Sequence, residues 1–346
     1  MHPRNPYRKA PDFAQLAKDV PFFAEFVHVR ADGTAGIDWL DDRANRALTK
    51  ALLKRDFDVE WDLPERNLVP PLPMRLNYVL WCLDLMEQLG GFQHARAIDV
   101  GTGASCILAL LIAHYVPEIQ VIGTEVDTES LRHARAEIQA KNTKNIRLAL
   151  VHNDRGRNAI FSCLEKRHFP VDFTVCNPPF FDSLEQTGLN RRRANPATHS
   201  ELVCEGGEVA FVGNMIRESC EKEATWFTTM LGKKSSVKPL RRLARAQGAT
   251  VVRDTVLTQG KQSRWALAWT FRADAPDLIL SAERKAAVRR RLPRADRSLE
   301  PCAKRRRVQL SPNSGTTGTI GPTMAPAEPG ASRSEPIGPQ LPPHLQ

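Results

Sequence analysis

Hydrophobic residues along the first half of the chain form short runs that alternate with helical patterns. Apolar runs at 96–100, 120–125, 146–151 and 172–176 predict four strands. Apolar residues recur at helical spacing across 105–116 and 128–142, between these strands. Because strands that alternate with helices pair in parallel, the pattern predicts an α/β fold with a doubly wound sheet.

The second half of the chain continues this pattern and then changes it. Helices are predicted at 208–221 and 236–247, and strands at 225–231, 250–258 and 265–271. The last two strands follow each other without a helix between them, which predicts a terminal antiparallel hairpin on the sheet.

Prolines and aromatic residues mark the predicted domain boundaries. Pro-rich joints at 63–73 separate a smaller N-terminal module, residues 1–74, from the sheet domain, residues 75–272. The last aromatic residue is Phe271, and the chain after it is rich in Pro, Gly, Ser, Thr and Arg. Such a segment cannot bury enough apolar surface to offset its ordering entropy, so residues 273–346 are predicted to be a disordered tail, basic and then low in complexity.

Composition and charge narrow the classes of protein. The seven cysteines are odd in number and contain no C-x-x-C pair, which predicts reduced thiols, no disulfide frame and no metal site. No apolar run is long enough to span a bilayer, and no apolar signal stretch follows Met1, so neither a membrane partner nor secretion is expected. Of the Lys and Arg residues behind the net charge of +10, eleven lie in 284–307 against two acids. The bulk charge of the folded part therefore says little about its partner.

A glycine-containing turn follows the first predicted strand of the sheet. Gly101 and Gly103 leave backbone open to a ligand at the start of a helix, although an ordinary tight turn has the same letters. Glu125 lies 24 residues beyond Gly101, close to the roughly 20-residue spacing at which an acid reaches ribose hydroxyls. Glu125 could also be a helix N-terminal acid. Two glycines with this acid favour a cofactor that carries adenosine without a pyrophosphate.

The sharpest signal is the sequence Asn177-Pro178-Pro179-Phe180 at the end of the fourth strand. The Asn177 side-chain oxygen and the Pro178 carbonyl are able to accept the two N–H bonds of an adenine amino group. The prolines stiffen the turn, and Phe180 offers the base a stacking surface. The motif predicts methyl transfer to an exocyclic amine without a metal or a general base; its alternative is a plain turn with Phe180 in the core.

Several cations are candidates for binding anionic ligands. Arg75, just before the sheet, is able to clamp a cofactor carboxylate with its planar fork, or to form a surface ion pair. Basic patches inside the predicted fold are solvated faces or RNA contacts, and they comprise Arg4, Arg8 and Lys9; Arg191, Arg192 and Arg193; Lys233, Lys234, Lys238, Arg241, Arg242 and Arg245; and Lys261 with Arg264.

The tail carries a cluster of its own. Lys304, Arg305, Arg306 and Arg307 are consecutive, which is typical of a signal read by the nuclear import machinery, with non-specific RNA adhesion as the alternative. The predicted location is the nucleus, and the reduced cysteines are compatible with the cytoplasm as well.

Taken together, the motifs resemble those of the U6 small nuclear RNA adenine-N6 methyltransferases, the methyltransferase-like protein sixteen family. The resemblance spans about residues 1–271 and is carried by several blocks in one order: Arg4-Asn5-Pro6-Tyr7, Pro73 to Tyr78, Ile98 to Cys106, Thr124 to Asp127, Cys176 to Phe181, Glu205-Gly206-Gly207-Glu208, Met230 to Lys234 and Arg264 to Trp269. So many ordered blocks are more specific than any single motif.

The resemblance implies a Rossmann-like class I methyltransferase sheet that uses S-adenosyl-L-methionine. It implies that the cofactor pocket is framed by Arg75, Gly101, Ser105, Glu125 and Asn177, and that the target adenine is held by Asn177, Pro178, Pro179 and Phe180. It also implies that structured RNA hairpins are gripped by the N-terminal module, with Arg4 and Arg8, and by loops that contain Arg191, Arg192, Arg193, Lys233, Lys234, Lys261 and Arg264. The family's substrates are U6 RNA and hairpins in the S-adenosylmethionine synthetase messenger RNA.

Three other functions stay open at this point. Protein glutamine N5-methyltransferases also hold a planar amide with an Asn-Pro-Pro-aromatic turn. A catalytically silent RNA-binding protein would keep the basic patches without turnover. DNA in place of RNA would satisfy the same adenine chemistry.

Overall fold

The computed structural model describes residues 1–144, 146–154, 159–165, 170–179 and 198–281. The N-terminal segment holds two short 3-10 turns, Pro6–Arg8 and Pro21–Phe26, and a two-stranded antiparallel sheet. Its helices and strands are α1 (Phe13–Asp19), β1 (Val27–Val29), β2 (Ala35–Ile37) and α2 (Asp42–Phe57). Asp12 and Asp41 cap α1 and α2, since their carboxylates accept the backbone N–H of Gln15 (3.0 Å) and Arg43 (2.8 Å). None of these small elements was predicted from the sequence.

A helix leads from this segment into the sheet. This helix, α3, spans Leu72–Gln88, so the predicted boundary between residues 74 and 75 lies inside it. Leu16, Leu53 and Trp61 before that boundary share one hydrophobic cluster with Leu76 and Ile107 after it. The first 74 residues are therefore packed on the sheet as part of one core.

The central sheet has seven strands in the order β5-β4-β3-β6-β7-β9-β8. Their bounds are β3 (Arg96–Val100), β4 (Gln120–Glu125), β5 (Arg147–His152), β6 (Val171–Cys176), β7 (Ala224–Leu231), β8 (Val251–Gln259) and β9 (Gln262–Thr270). The strands from β5 to β7 are parallel, whereas β9 runs antiparallel to β7 and β8 antiparallel to β9. The predicted doubly wound sheet with a terminal hairpin is confirmed.

Helices cover both faces of this sheet. They are α4 (Ile107–Tyr115), α5 (Thr128–His133), α6 (Ser162–Glu165), α7 (His199–Leu202), α8 (Gly207–Ser219) and α9 (Lys234–Ala246). The predicted helix at 128–142 is helical throughout, but α5 passes into a π turn over Ala134–Gln139 and a 3-10 turn over Ala140–Asn142.

Alternate residues of the strands point to opposite faces, which gives the sheet two apolar clusters. On one face Phe173 and Trp226 pack with α3, α4 and the N-terminal segment. On the other face Phe227 and Trp269 pack with α8 and α9. Both faces of the central strands are buried, so the polar groups available for chemistry lie at the strand ends.

Candidate active site

An open cavity lies at the carboxyl ends of β3, β4 and β6, the edge where open α/β sheets hold their ligands. Its volume is about 1180 Å³ with the solvent at its mouth included, enough for a ligand of nucleoside size. The walls include every residue predicted to frame a cofactor pocket: Arg75, Gly101, Ser105, Glu125 and Asn177. The fold therefore brings together residues that are up to 102 positions apart in the chain.

Two glycines give the turn after β3 its shape. Gly101 and Gly103 have φ angles of 67° and 65°, a region that residues with a Cβ rarely adopt. Thr102 between them donates its backbone N–H to the carbonyl of Thr124 (2.9 Å), which ties the turn to β4. A Cβ built on Gly101 would meet no heavy atom within 4 Å, so this residue offers bare backbone to the cavity.

Glu125, at the end of β4, supports the same turn from below. One carboxylate oxygen accepts the backbone N–H of Gly103 (2.8 Å), and the other accepts those of Val126 (2.8 Å) and Asp127 (2.9 Å). Burial raises the pKa of Glu125, while these three N–H donors oppose the shift. Each carboxylate oxygen has two lone pairs, so the oxygen that bonds Gly103 keeps capacity for a ligand hydroxyl.

Asp99 is a cavity residue that the sequence motifs did not single out. Its Oδ2 accepts hydrogen bonds from Thr102 Oγ1 (2.8 Å) and from the backbone N–H of Ala109 (3.3 Å). Its Oδ1 is buried without a hydrogen-bond partner among the described residues. Burial raises the pKa of Asp99 to about 7. The signal that could have found it is its place two residues before the glycine turn, where an acid also serves to bond loop amides.

Arg75 faces the same cavity from α3. The alternative of a surface ion pair is wrong, because only 6% of Arg75 is exposed. Its Nη1 donates to the Met230 sulfur (3.5 Å), and it pairs with no carboxylate among the described residues. Burial, followed by the positive charge of Arg264, lowers the pKa of Arg75 to about 10. A buried cation without a fixed anionic partner is costly for the fold, so the position suits an anionic ligand.

The Asn-Pro-Pro corner lies beside the glycine turn. Val100 pairs with Cys176 in the parallel register of β3 and β6, so Gly101 and Asn177 leave the sheet side by side. Asn177 Oδ1 is buried and accepts no hydrogen bond from the described residues. Pro178 and Pro179 also line the cavity. Phe180 lies outside the described residues.

A buried tyrosine holds the strand end just before this corner. Tyr78 donates its hydroxyl to Thr228 Oγ1 (2.6 Å), which in turn donates to the carbonyl of Thr174 (2.7 Å). The backbone N–H of Cys176 donates to the Tyr78 oxygen (3.3 Å). The residue before Asn177 is thus anchored by a side chain of α3, a contact that no sequence motif announced.

Replacing Tyr78 with Phe is expected to loosen this corner. The variant leaves the Cys176 N–H and the Thr228 hydroxyl without a buried partner, which costs about 1–3 kcal/mol of unfolding free energy. Denaturant unfolding measures this loss. Turnover at saturating cofactor should fall as well, while cofactor affinity is kept. Tyr115→Phe, at a half-buried tyrosine, is the matched control; equal stability of the two variants would contradict the anchoring role.

The predicted RNA contacts are placed less uniformly. Arg4 pairs with Asp84 and with Glu87 (3.3 Å), so its charge is already matched on α3. Arg8 is exposed, as is Lys261 in the turn between β8 and β9. Arg264 is half-buried near Arg75. Arg191, Arg192 and Arg193 lie outside the described residues, as do Lys304 to Arg307.

Lys233 and Lys234 reach the cavity edge because a buried acid fixes the loop that carries them. Glu208, 2% exposed in α8, accepts the backbone N–H of Gly232 (2.6 Å) and Lys233 (3.0 Å) and the hydroxyl of Ser236 (2.6 Å). Both lysines are exposed and directly follow β7. Glu208 is therefore a positioning residue for these lysines.

Membrane-spanning helices and metal clusters are both absent from the described residues. Among them, no helix combines the length and apolar character needed to cross a bilayer. In the same part of the chain, no group of three or more His, Cys, Asp or Glu side chains is arranged to hold a metal ion.

The sheet order and the polar edge define the class of the protein as a Rossmann-like α/β methyltransferase fold. The chain belongs to a family described as RNA methyltransferase, whose model matches residues 1–273. A similar relative is the "U6 small nuclear RNA (adenine-(43)-N(6))-methyltransferase" of Caenorhabditis elegans, 38% identical over 78% of this chain and 62% of the relative. The predicted family and its fold class are confirmed.

Solved structures agree with this assignment. One is the "hMettl16 catalytic domain in complex with MAT2A 3'UTR hairpin 1"; it is 38% identical, with a TM-score of 0.70 over 79% of this chain and 96% of that one. Another is the "N-terminal domain of human METTL16 in complex with SAH", 36% identical, with a TM-score of 0.64 over 79% and 99%. The chain spans about half to three fifths of the length of the first curated relatives it matches.

Proposed function

We propose that this chain is an RNA N6-adenosine methyltransferase that transfers a methyl group from S-adenosyl-L-methionine to an adenine in structured RNA. The observation that carries the proposal is Asn177 Oδ1, a buried acceptor without a partner among the described residues. It lies in the same cavity as Gly101 and Glu125. Family membership supplies the reaction class, and the site supplies the residues.

The cavity fits the methyl donor on the chemistry of its walls. The donor carries a carboxylate, an ammonium and ribose hydroxyls, and when bound it supplies an electrophilic methyl group on a sulfonium. Buried Arg75 suits the carboxylate, and the free oxygen of Asp99 suits the ammonium. Glu125 and the bare backbone of Gly101 suit the ribose and the adenosine beside it. SAH, the ligand of the similar human domain, is the demethylated form of this donor.

The acceptor chemistry rests on the Asn-Pro-Pro corner. The lone pair of an adenine amino group is delocalised into the ring, which makes the nitrogen a poor nucleophile. The Asn177 side-chain oxygen and the Pro178 carbonyl accept its two N–H bonds, which favours a more tetrahedral nitrogen. Because the prolines restrict the backbone, these acceptors are oriented before the substrate arrives.

Structured RNA is the proposed partner, with U6 RNA and S-adenosylmethionine synthetase hairpins as substrates. The names of the relative from Caenorhabditis elegans and of the hairpin complex support these substrates. In this chain Lys233, Lys234 and Lys261 gather near the carboxyl edge of the sheet, since Leu231 pairs with Trp265 where β7 meets β9. The N-terminal segment, residues 1–74, is proposed to extend this RNA-binding surface.

A labelled-donor assay tests the proposal. The full chain is incubated with methyl-labelled S-adenosylmethionine and a U6-like hairpin or a synthetase-type hairpin, and the RNA is digested to nucleosides. The expected product is labelled N6-methyladenosine. Label on protein glutamine would instead favour the release-factor type of enzyme, and RNA binding without any label would favour a silent binding protein. Competition with a matched DNA hairpin decides between the nucleic acids.

Nuclear import through Lys304 to Arg307 is proposed on sequence alone. A fluorescent fusion of the full chain is expected in the nucleus, and replacing the four cations with Gln should shift it to the cytoplasm. Equal nuclear signal in both forms would remove the import role of this cluster.

A further inference from the structure

The exposed side of α9 carries a stripe of cations that the proposed reaction does not use. Lys234, Lys238, Arg242 and Arg245 lie four, four and three positions apart, so they share one side of the helix. All four are exposed, whereas the opposite side of α9 is buried in the core. We name these four residues the α9 stripe.

The charges of the stripe are not balanced by the fold. No acidic residue occurs in Lys234–Ala246. Arg241, at the flank of the stripe, pairs with Asp254 of β8 (3.0 Å). Among the described residues, none of the four stripe side chains pairs with a carboxylate. Exposed cations held at fixed spacing without counter-charges form a surface that attracts a polyanion.

The stripe begins beside the proposed RNA site and leads away from it. Its first member, Lys234, directly follows Lys233, which Glu208 fixes at the carboxyl end of β7. From Lys234 to Arg245 the helix rises roughly 16 Å, at 1.5 Å per residue. The stripe therefore extends the basic edge of the cavity along the flank of the fold.

We infer that the α9 stripe binds the phosphate backbone of the RNA stem, at a distance from the target adenine. The inference rests on the proposed RNA substrate and adds a second contact region to it. A membrane surface is a poorer match, because the apolar side of α9, with Val237, Leu240 and Ala244, is packed in the fold. Since phosphate contacts carry no sequence information, the stripe would read stem length and not stem sequence.

Salt-dependent binding of hairpins with short and long stems tests the inference. The full chain with Lys238→Gln, Arg242→Gln and Arg245→Gln is compared with the parent, and Lys234 is left intact because it borders the cavity. With long stems the slope of log affinity against log salt should fall by about two to three, since each phosphate contact contributes about 0.9. Affinity at low salt should fall at least tenfold. With stems too short to reach α9, the two proteins should bind alike.

A matched variant controls for the change in net charge. Arg132→Gln, Lys144→Gln and Arg147→Gln remove three exposed cations near β5, at the opposite edge of the sheet. This variant should bind both stems as the parent does. Thermal unfolding of both triple variants checks that they are folded.

The outcomes separate the inference from the proposed function. If the stripe variant binds long stems with the affinity and salt slope of the parent, the inference is wrong, whereas parent turnover on the same hairpins still supports the proposed function. An equal loss on short stems, or in the β5-edge variant, also overturns the inference, because the effect is then general charge. Absence of N6-methyladenosine with the parent on every hairpin rejects the proposed function independently of stem length.

Discussion

Replacing Asn177 with Ala is expected to abolish N6-methyladenosine formation and to leave RNA and cofactor binding in place. The variant removes a buried acceptor that bonds no described protein group, so the fold loses no hydrogen bond there. Removing one preoriented polar group that stabilises a transition state typically lowers kcat by about 100- to 1000-fold. Nucleoside analysis after a timed reaction at saturating RNA and donor measures the loss.

The same substitution elsewhere controls for this result. Asn214→Ala changes an asparagine of α8 whose Oδ1 accepts a hydrogen bond from Arg217 (3.0 Å), outside the cavity. This variant should keep the turnover of the parent. If Asn177→Ala retained more than about a tenth of the parent kcat, the proposed contact with the amino group would be rejected.

The sheet and the glycine turn could be predicted because each leaves a local trace in the sequence. Buried parallel strands appear as short apolar runs, and the predicted bounds 96–100 and 120–125 coincide with β3 and β4. Gly101 and Gly103 occupy positions that require a positive φ, so the turn itself selects their type. The N-terminal elements left no such trace, because α1, β1 and β2 are only three to seven residues long.

The remaining site residues depend on contacts between distant segments. Tyr78 acts on Cys176 across 98 positions, and Glu208 acts on Lys233 across 25. In sequence, Tyr78 is one apolar residue of a helix and Glu208 one acid after two glycines. Their roles follow from strand register and burial, which periodicity alone does not specify. Asp99 was visible in its motif, but only its burial separates a ligand-facing carboxylate from a structural one.

Replacing Asp99 with Asn is expected to weaken donor binding and to remove its pH dependence. The pKa of Asp99 is about 7 because the carboxyl is buried. The carboxylate form favours a cationic donor, so the donor affinity of the parent should rise from pH 6 to pH 8 and then level off. Loss of a charge-assisted hydrogen bond of about 1.5–3 kcal/mol corresponds to roughly 10- to 100-fold weaker binding at pH 8. Calorimetric titration with S-adenosylmethionine across this pH range measures both effects.

Stability should change in the opposite direction to binding. Between about pH 4 and pH 7 the folded parent keeps a proton on Asp99 that the unfolded chain has lost, so this group's contribution to stability declines as pH rises. Asn keeps an oxygen for Thr102 and Ala109 and carries no charge to bury. The variant should therefore have a higher Tm at pH 8, by about 2–4 °C for each kcal/mol regained. Asp154→Asn, at an exposed position, should change neither Tm nor affinity. A parent affinity that stays constant across this pH range, or a variant that binds the donor as tightly at pH 8, would show that the free oxygen of Asp99 does not meet the cationic donor.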